Sequence, residues 1–73
     1  MTGADFIRRV RKLGRLRGIS VEVCAERGKG SHRHLYFGDR LTVVPDPKGE
    51  LKKGTFHAML KQLELTLEEF TQS

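Results

Sequence analysis

Apolar residues near the start of the chain recur with the period of an α-helix. The stripe, spaced i, i+4 and i+7 and widened by one neighbour, consists of Phe6, Ile7, Val10 and Leu13. Thr2, followed three residues later by Asp5, has the spacing of a helix N-cap and its acidic partner. Gly14 or Gly18 is expected to end the helix. The pattern therefore predicts an amphipathic first helix.

Three short segments then alternate between apolar and polar residues, as half-buried strands do. The apolar positions of the first segment are Ile19, Val21, Val23 and Ala25. The second segment covers residues 31–37 and is followed by a Gly-Asp hairpin signal at 38–39. The third covers residues 40–44, and Pro45 and Pro47 stop it because proline cannot donate to a strand ladder. Short connections between the segments favour an antiparallel meander.

The second strand has two chemically different sides. Leu35 and Phe37 share one side and are the better candidates for the core. His32, His34 and Tyr36 alternate with them and share the other side. We therefore expect the two histidines and the tyrosine to lie together on the exposed face of the sheet.

Helical periodicity returns after a long loop at residues 45–54. Its apolar positions are Phe56, Met59, Leu60 and Leu63, and they leave His57 facing solvent. Thr66 and Glu69 fit a capping box for a last short helix, with Leu67 and Phe70 as its apolar anchors. The order predicts one α+β domain over residues 1–73. It has a three-stranded antiparallel sheet with two helices packed on one face and a short extra C-terminal helix.

The positive charge of the chain is concentrated in its first half. The formal net charge is +5, and residues 1–40 hold ten lysines and arginines against four acidic residues. A polyanion is the natural partner of such a surface, although a solvated helix face would carry the same charges. The candidates for phosphate or RNA binding on the first helix are Arg8, Arg9, Lys12 and Arg15.

Membrane insertion and secretion find no support in the sequence. No apolar run approaches the roughly 20 residues of a membrane span, and the first residues lack the pattern of a secretory signal. Cys24 is the single cysteine and has no partner for an internal disulfide. We expect a cytoplasmic protein with no membrane association and no small-molecule cofactor.

The loop between the first two strands has the composition of an anion-binding site. Gly28 and Gly30 let backbone amides approach a phosphate, Lys29 adds a positive charge, and Ser31 could orient a substrate. His32 follows directly and could act as the general base that deprotonates a ribose 2′-hydroxyl. RNA would then be cut and DNA spared. A histidine at the start of a strand is, however, more often structural.

The acid that would protonate the departing oxygen has several candidates. His34 and Tyr36 share the expected face with His32, and Lys29 lies nearby in the sequence. Tyr36 could instead stack on a base or simply pack against its neighbours. A metal site of His32, His34 and Cys24 has no further ligand at a recognised spacing, so we expect none.

These residues resemble the HicA toxins of bacterial and archaeal toxin–antitoxin pairs. The resemblance runs from about residue 5 to residue 70. It is carried by Gly30-Ser31-His32, by the Val-Pro element at 44–45, by Leu51-Lys52-Lys53-Gly54-Thr55 and by Leu60-Lys61-Gln62. It implies a fold like that of double-stranded-RNA-binding domains, and a ribonuclease that degrades mRNA without a metal. It also implies a HicB antitoxin that blocks the active face.

The resemblance assigns the catalytic histidine to His32, flanked by Gly30 and Ser31. Many members of the family carry a second histidine shortly after the Val-Pro element, and this chain has Asp46-Pro47-Lys48 there. If that histidine assists catalysis in the family, this chain must use His34, Lys29 or another group instead, or cut RNA more slowly. Two other interpretations remain at this stage. One is a non-catalytic RNA-binding module of the same fold. The other is a protein-interaction domain whose basic face meets an acidic partner.

Overall fold

The computed structural model of the protein describes residues 1–25 and 32–72. The elements in chain order are α1 (Gly3–Arg17), β1 (Val21–Ala25), β2 (Arg33–Phe37), β3 (Arg40–Val44), α2 (Lys53–Gln62) and α3 (Leu67–Thr71). The predicted α+β order of one helix, three strands and two further helices is confirmed. Among the described residues, no helix is long and apolar enough to cross a membrane.

Helix α1 begins at the cap that its sequence predicts. The Thr2 hydroxyl accepts a hydrogen bond from the Asp5 backbone N–H (3.1 Å), and the Asp5 carboxylate accepts one from the Thr2 N–H (3.0 Å). The bond from the Thr2 backbone, more than any other contact, lowers the pKa of Asp5. The helix ends at Gly18, whose φ of 67° lies in the left-handed region that favours glycine. Gly14 lies inside the helix instead.

The three strands form one antiparallel sheet in the order β1-β2-β3. Leu35, at the centre of β2, pairs with Val23 on one side and with Thr42 on the other. His34 pairs with Cys24 and Val43. These registers fix which side chains share a face, because neighbouring strands keep the same alternation across the sheet.

Helices α1 and α2 pack against one face of the sheet, and α3 packs on α1 and α2. The buried core contains Phe6, Val10, Leu13, Leu35, Phe37, Val44, Met59, Leu60, Leu63, Leu65 and Phe70. Its centre is aromatic, since the ring centroid of Phe6 lies 5.0 Å from that of Phe70 and 5.9 Å from that of Phe56. The core residues of α1 and β2 are those that the two periodicities predict.

Helix α1 lies unusually close to the sheet near its C-terminal end. A Cβ atom at Gly14 would lie 2.4 Å from the Val21 side chain and 2.7 Å from the Ile19 carbonyl oxygen. At the other end, a Cβ at Gly3 would lie 2.5 Å from the Asp46 carbonyl oxygen. The helix therefore starts beside the end of β3 and finishes beside the start of β1, and glycine permits both approaches.

Helix α3 is held to α1 by a charged contact as well as by Phe70. Arg17 donates to the Glu69 carboxylate at 2.8 Å, and Glu69 also caps α3 through Thr66. The Thr66 backbone N–H and then Arg17 lower the pKa of Glu69 to about 2. The prediction that Leu67 anchors this helix is wrong, because Leu67 is the first residue of α3 and is 49% exposed. Phe70 alone provides the buried anchor.

Candidate functional site

The open face of β2 brings two of the candidate site residues together. His34 and Tyr36 point away from Leu35 and Phe37, which are buried under the helices. Both residues are half-buried. Because the two residues are separated by one position in an extended strand, their Cα atoms lie about 7 Å apart. The predicted division of β2 into two sides is confirmed.

His32 lies directly before β2 and outside the hydrophobic core. Its side chain is half-buried, and its carbonyl oxygen accepts a hydrogen bond from Arg33 Nη1 at 3.0 Å. The residue is thus partly open to solvent. His32 is two residues before His34. If the alternation of β2 extends to His32, both histidines lie on the same side of the sheet.

The predicted anion-binding loop lies outside the described residues. Gly28, Lys29, Gly30 and Ser31 all belong to it, so their expected roles as amide donors, cation and substrate-orienting hydroxyl stay predictions. Of the four groups proposed for acid–base work, the structure therefore describes His32, His34 and Tyr36.

The open face is more apolar than the alternation in β2 predicts. Leu41 and Val43 of β3 are 42% and 40% exposed there, beside Tyr36 and His34 respectively. Cys24 of β1 is also exposed on this side, directly opposite His34. The outward direction of Leu41 and Val43 follows from the pairing of β3 with β2. Thr42 and Val44 lie opposite residues of β2 and are buried, so the residues that alternate with them point outward.

The candidate RNA-binding residues of α1 do lie together. A shallow groove of about 540 Å³ is lined by Met1, Asp5, Arg8, Arg9, Lys12 and Arg15. Arg8 donates to Asp5 at 3.3 Å, and the guanidinium of Arg9 lies 5.7 Å from the ring centroid of Phe70. Arg8, Lys12 and Arg15 are exposed. Four cations against one carboxylate make this groove attractive to an anion.

The two candidate surfaces are not brought together. The groove belongs to α1, which packs on the covered face of the sheet, whereas His34 and Tyr36 occupy the open face. The sheet and the body of the helix lie between them. His57, which the sequence predicts to face solvent, is exposed on α2 and edge-on to Phe56.

The potential metal ligands among the described residues do not cluster. None of the histidines, cysteine or carboxylates described there forms a group of three or more that could hold an ion. Cys24 and His34 are paired across β1 and β2, as a metal site of His32, His34 and Cys24 would require, but they make only a pair.

Residues 18–65 match the family model described as HicA toxin of bacterial toxin-antitoxin. Since this range covers more than half of the chain, the protein belongs to the HicA toxin family. Membership gives it the role of a toxin and implies an antitoxin partner. Among curated proteins and solved structures, none matches the chain. The matched range begins at Gly18, so α1 and α3 lie outside it, and the match is narrower than the resemblance over residues 5–70.

Proposed function

We propose that this toxin is a metal-independent endoribonuclease that cuts mRNA with His32 as its general base. The observation that carries the proposal is a partly exposed histidine, His32, beside a sheet face on which a second histidine, His34, lies. The family is one of toxins, and degradation of messages is a chemistry that this arrangement supports. The proposed substrate implies a cytoplasmic site of action.

In the proposed reaction, the neutral His32 imidazole takes the proton of a ribose 2′-hydroxyl. The 2′-oxygen then forms a bond to the adjacent phosphorus, and the bond from phosphorus to the 5′-oxygen of the next nucleotide breaks. A general acid returns a proton to that departing oxygen. Positioned acid–base catalysis of this kind contributes roughly 10²–10⁴-fold in rate. DNA is spared because it lacks the attacking hydroxyl.

Among the described residues, His34 is the best general acid for this reaction. The strand rise of about 3.3 Å per residue gives roughly 7 Å between His32 and His34, but about 13 Å between His32 and Tyr36. The shorter spacing lets a base and an acid flank one phosphorus atom. Tyr36 is then better suited to contact a neighbouring nucleotide, and Lys29 with the amides of Gly28 and Gly30 to stabilise the phosphate.

The antitoxin partner is proposed to be of the HicB type and to cover the open face. Leu41 and Val43 support this choice, because they are exposed apolar side chains next to His34 and Tyr36. A protein seated on them would exclude RNA from the same face. Membership in the family implies an antitoxin, and the exposed apolar residues are suited to bind a protein.

The decisive experiment compares His32→Ala with His57→Ala. Both variants remove one imidazole, and His57 is exposed on α2 outside the open face. We expect His32→Ala to lose roughly 10²–10⁴-fold of the cleavage rate on a labelled transcript, while His57→Ala keeps the wild-type rate. Circular dichroism should show that both variants fold.

Two further controls define the chemistry. A substrate with a 2′-deoxy sugar at the cut site should resist the wild-type protein, and a chelator should leave the rate unchanged. Wild-type cleavage by a folded His32→Ala variant would refute the proposed role of His32.

The second candidate function is a non-catalytic RNA-binding module. The basic groove on α1 favours it, because phosphate attraction requires no histidine. Prolonged incubation discriminates between the two. RNA that is bound but stays intact with clean wild-type protein would support the module, and time-dependent cutting that needs His32 would support the ribonuclease.

A further inference from the structure

We propose that the outer face of α1 is a second RNA-binding surface, which holds the sugar-phosphate backbone of the transcript away from the bond that is cut. The assignment of a cut bond to the open sheet face rests on the proposed function. The surface itself consists of Arg8, Lys12 and Arg15, with Arg9 at its edge.

The direction of these side chains follows from the helix repeat. Residues advance by about 100° each, so two positions correspond to about 200°, or almost the opposite side of the helix. Each cation of the surface comes two residues after a buried apolar residue of the hydrophobic core. The pairs are Phe6 and Arg8, Val10 and Lys12, and Leu13 and Arg15. The three cations therefore point directly away from the core.

The helix separates this surface from the open face of β2. An α-helix with its side chains is about 10–12 Å across, and the sheet adds its own thickness beyond that. His34 and Tyr36 lie on the far side of the sheet. No single nucleotide can contact both surfaces, so a transcript cut on the open face must pass around an edge of the sheet to reach α1.

The charges of the surface suit an extended polyanion. Arg8, Lys12 and Arg15 follow one another at i, i+4 and i+7, which spans about 10 Å along the axis. In the part of the chain that the structure describes, Lys12 and Arg15 take part in no ion pair. Asp5 is already engaged by the N-cap and by Arg8. A row of available cations in an open groove fits consecutive phosphates better than one small anion.

Helix α1 also lies outside the range that matches the family model, which begins at Gly18. Family membership therefore does not supply this role. The consequence is a dependence on RNA length. A short oligonucleotide that fills only the cut site should ignore α1, whereas a long transcript should gain affinity from it.

The test uses the triple variant Arg8→Gln, Lys12→Gln, Arg15→Gln. Its matched control is Lys48→Gln, Lys53→Gln, Lys61→Gln, which removes the same charge from three exposed lysines elsewhere. Cleavage is measured on single-stranded RNA of about 6 and about 40 nucleotides. The first length lies near the lower end of typical single-strand site sizes of roughly 4–16 nucleotides, and the second lies well beyond their upper end. Binding of the longer RNA is measured by anisotropy in an additional His32→Ala background.

We expect the triple variant to raise KM for the long RNA by roughly 10- to 100-fold and to leave kcat unchanged. Cleavage of the short RNA should match wild type. The slope of log affinity against log salt should fall by about 2, or about 0.7 for each lost single-strand phosphate contact. The control variant should change these quantities much less.

Three outcomes would overturn the proposal. One is a wild-type KM and salt slope in the triple variant. Another is an equal loss on short and long RNA, which would make α1 part of the cut site. The third is intact RNA binding with lost antitoxin binding, which would make α1 a protein-docking face. If the wild type cuts no RNA while its salt slope still differs from that of the triple variant, the ribonuclease proposal fails. The assignment of α1 as an RNA-binding surface is then retained.

Discussion

The two faces of the sheet differ sharply although they are made by the same strands. On the covered face, Leu35, Phe37 and Val44 are almost completely buried in the core that the sheet shares with the helices. On the open face, Leu41 and Val43 remain about two-fifths exposed, and His34 and Tyr36 are half-buried. Neighbouring residues of one strand therefore lie in different environments and contribute differently to stability. The covered face supplies stability, and the open face is free to carry chemistry or a partner.

The strongest test of this division compares adjacent residues of β2. Phe37→Ala should lower the free energy of unfolding by about 3–5 kcal/mol, because it empties a fully buried site. Tyr36→Ala, on the open face, should cost at most about 1 kcal/mol. Urea denaturation followed by circular dichroism measures both.

Phe37→Leu provides a milder variant if Phe37→Ala does not fold, since a volume-reduced apolar side chain still fills part of the site. Equal losses in Tyr36→Ala and Phe37→Ala would mean that the open face also stabilises the fold, and the division would fail.

A smaller effect is expected from the adjacent residues of β3. Thr42 is buried, and its hydroxyl donates to Gln62 Oε1. Thr42→Val removes that bond and should cost about 1 kcal/mol, while the isosteric change Val43→Thr on the open face should stay within about 0.5 kcal/mol. Thermal unfolding of both variants checks the difference. A larger loss in Val43→Thr would contradict the comparison.

The smallest effect concerns the charged contact that holds α3 over the covered face. Because the pKa of Glu69 is lowered from 4.5 to about 2, its contribution is fully present above pH 4.5 and is lost as pH falls through 2. Glu69→Gln should therefore be less stable than wild type at neutral pH and nearly equal to it at pH 2. The exposure of the pair keeps the effect small and sensitive to salt.

Melting temperatures at several pH values, at low and high salt, measure this dependence. A difference between Glu69→Gln and wild type that does not change with pH would show that the Glu69 charge is unimportant for holding α3.

The elements of the fold were largely predictable because their signals are local. The Thr2 and Thr66 capping boxes and the two-residue alternation of β2 depend only on neighbours in the sequence. The prediction that Leu67 is an anchor was wrong, because a five-residue helix is too short for its apolar period to define a buried side. In β3, Leu41, Val43 and Val44 are all apolar, so only pairing with β2 decides which face each occupies.

The candidate site was predictable only in part, because local patterns group residues within one element but do not relate one element to another. Alternation grouped His34 with Tyr36, and charge clustering grouped Arg8, Arg9, Lys12 and Arg15. Neither pattern states how a helix face and a sheet face are oriented relative to each other. That relation follows from the packing of Phe6, Val10 and Leu13 into the core that α1 shares with the sheet, and it separates the two groups.

The close approach at Gly14 limits how this protein can be engineered. Replacing a glycine inside a helix by alanine normally gains up to about 1 kcal/mol from improved helix propensity. At Gly14 the new methyl group would collide with the Ile19 carbonyl and Val21, whereas at Gly54 in α2 it would meet nothing within 4 Å. A stabilised variant of this toxin should therefore begin at Gly54 and leave Gly14 unchanged.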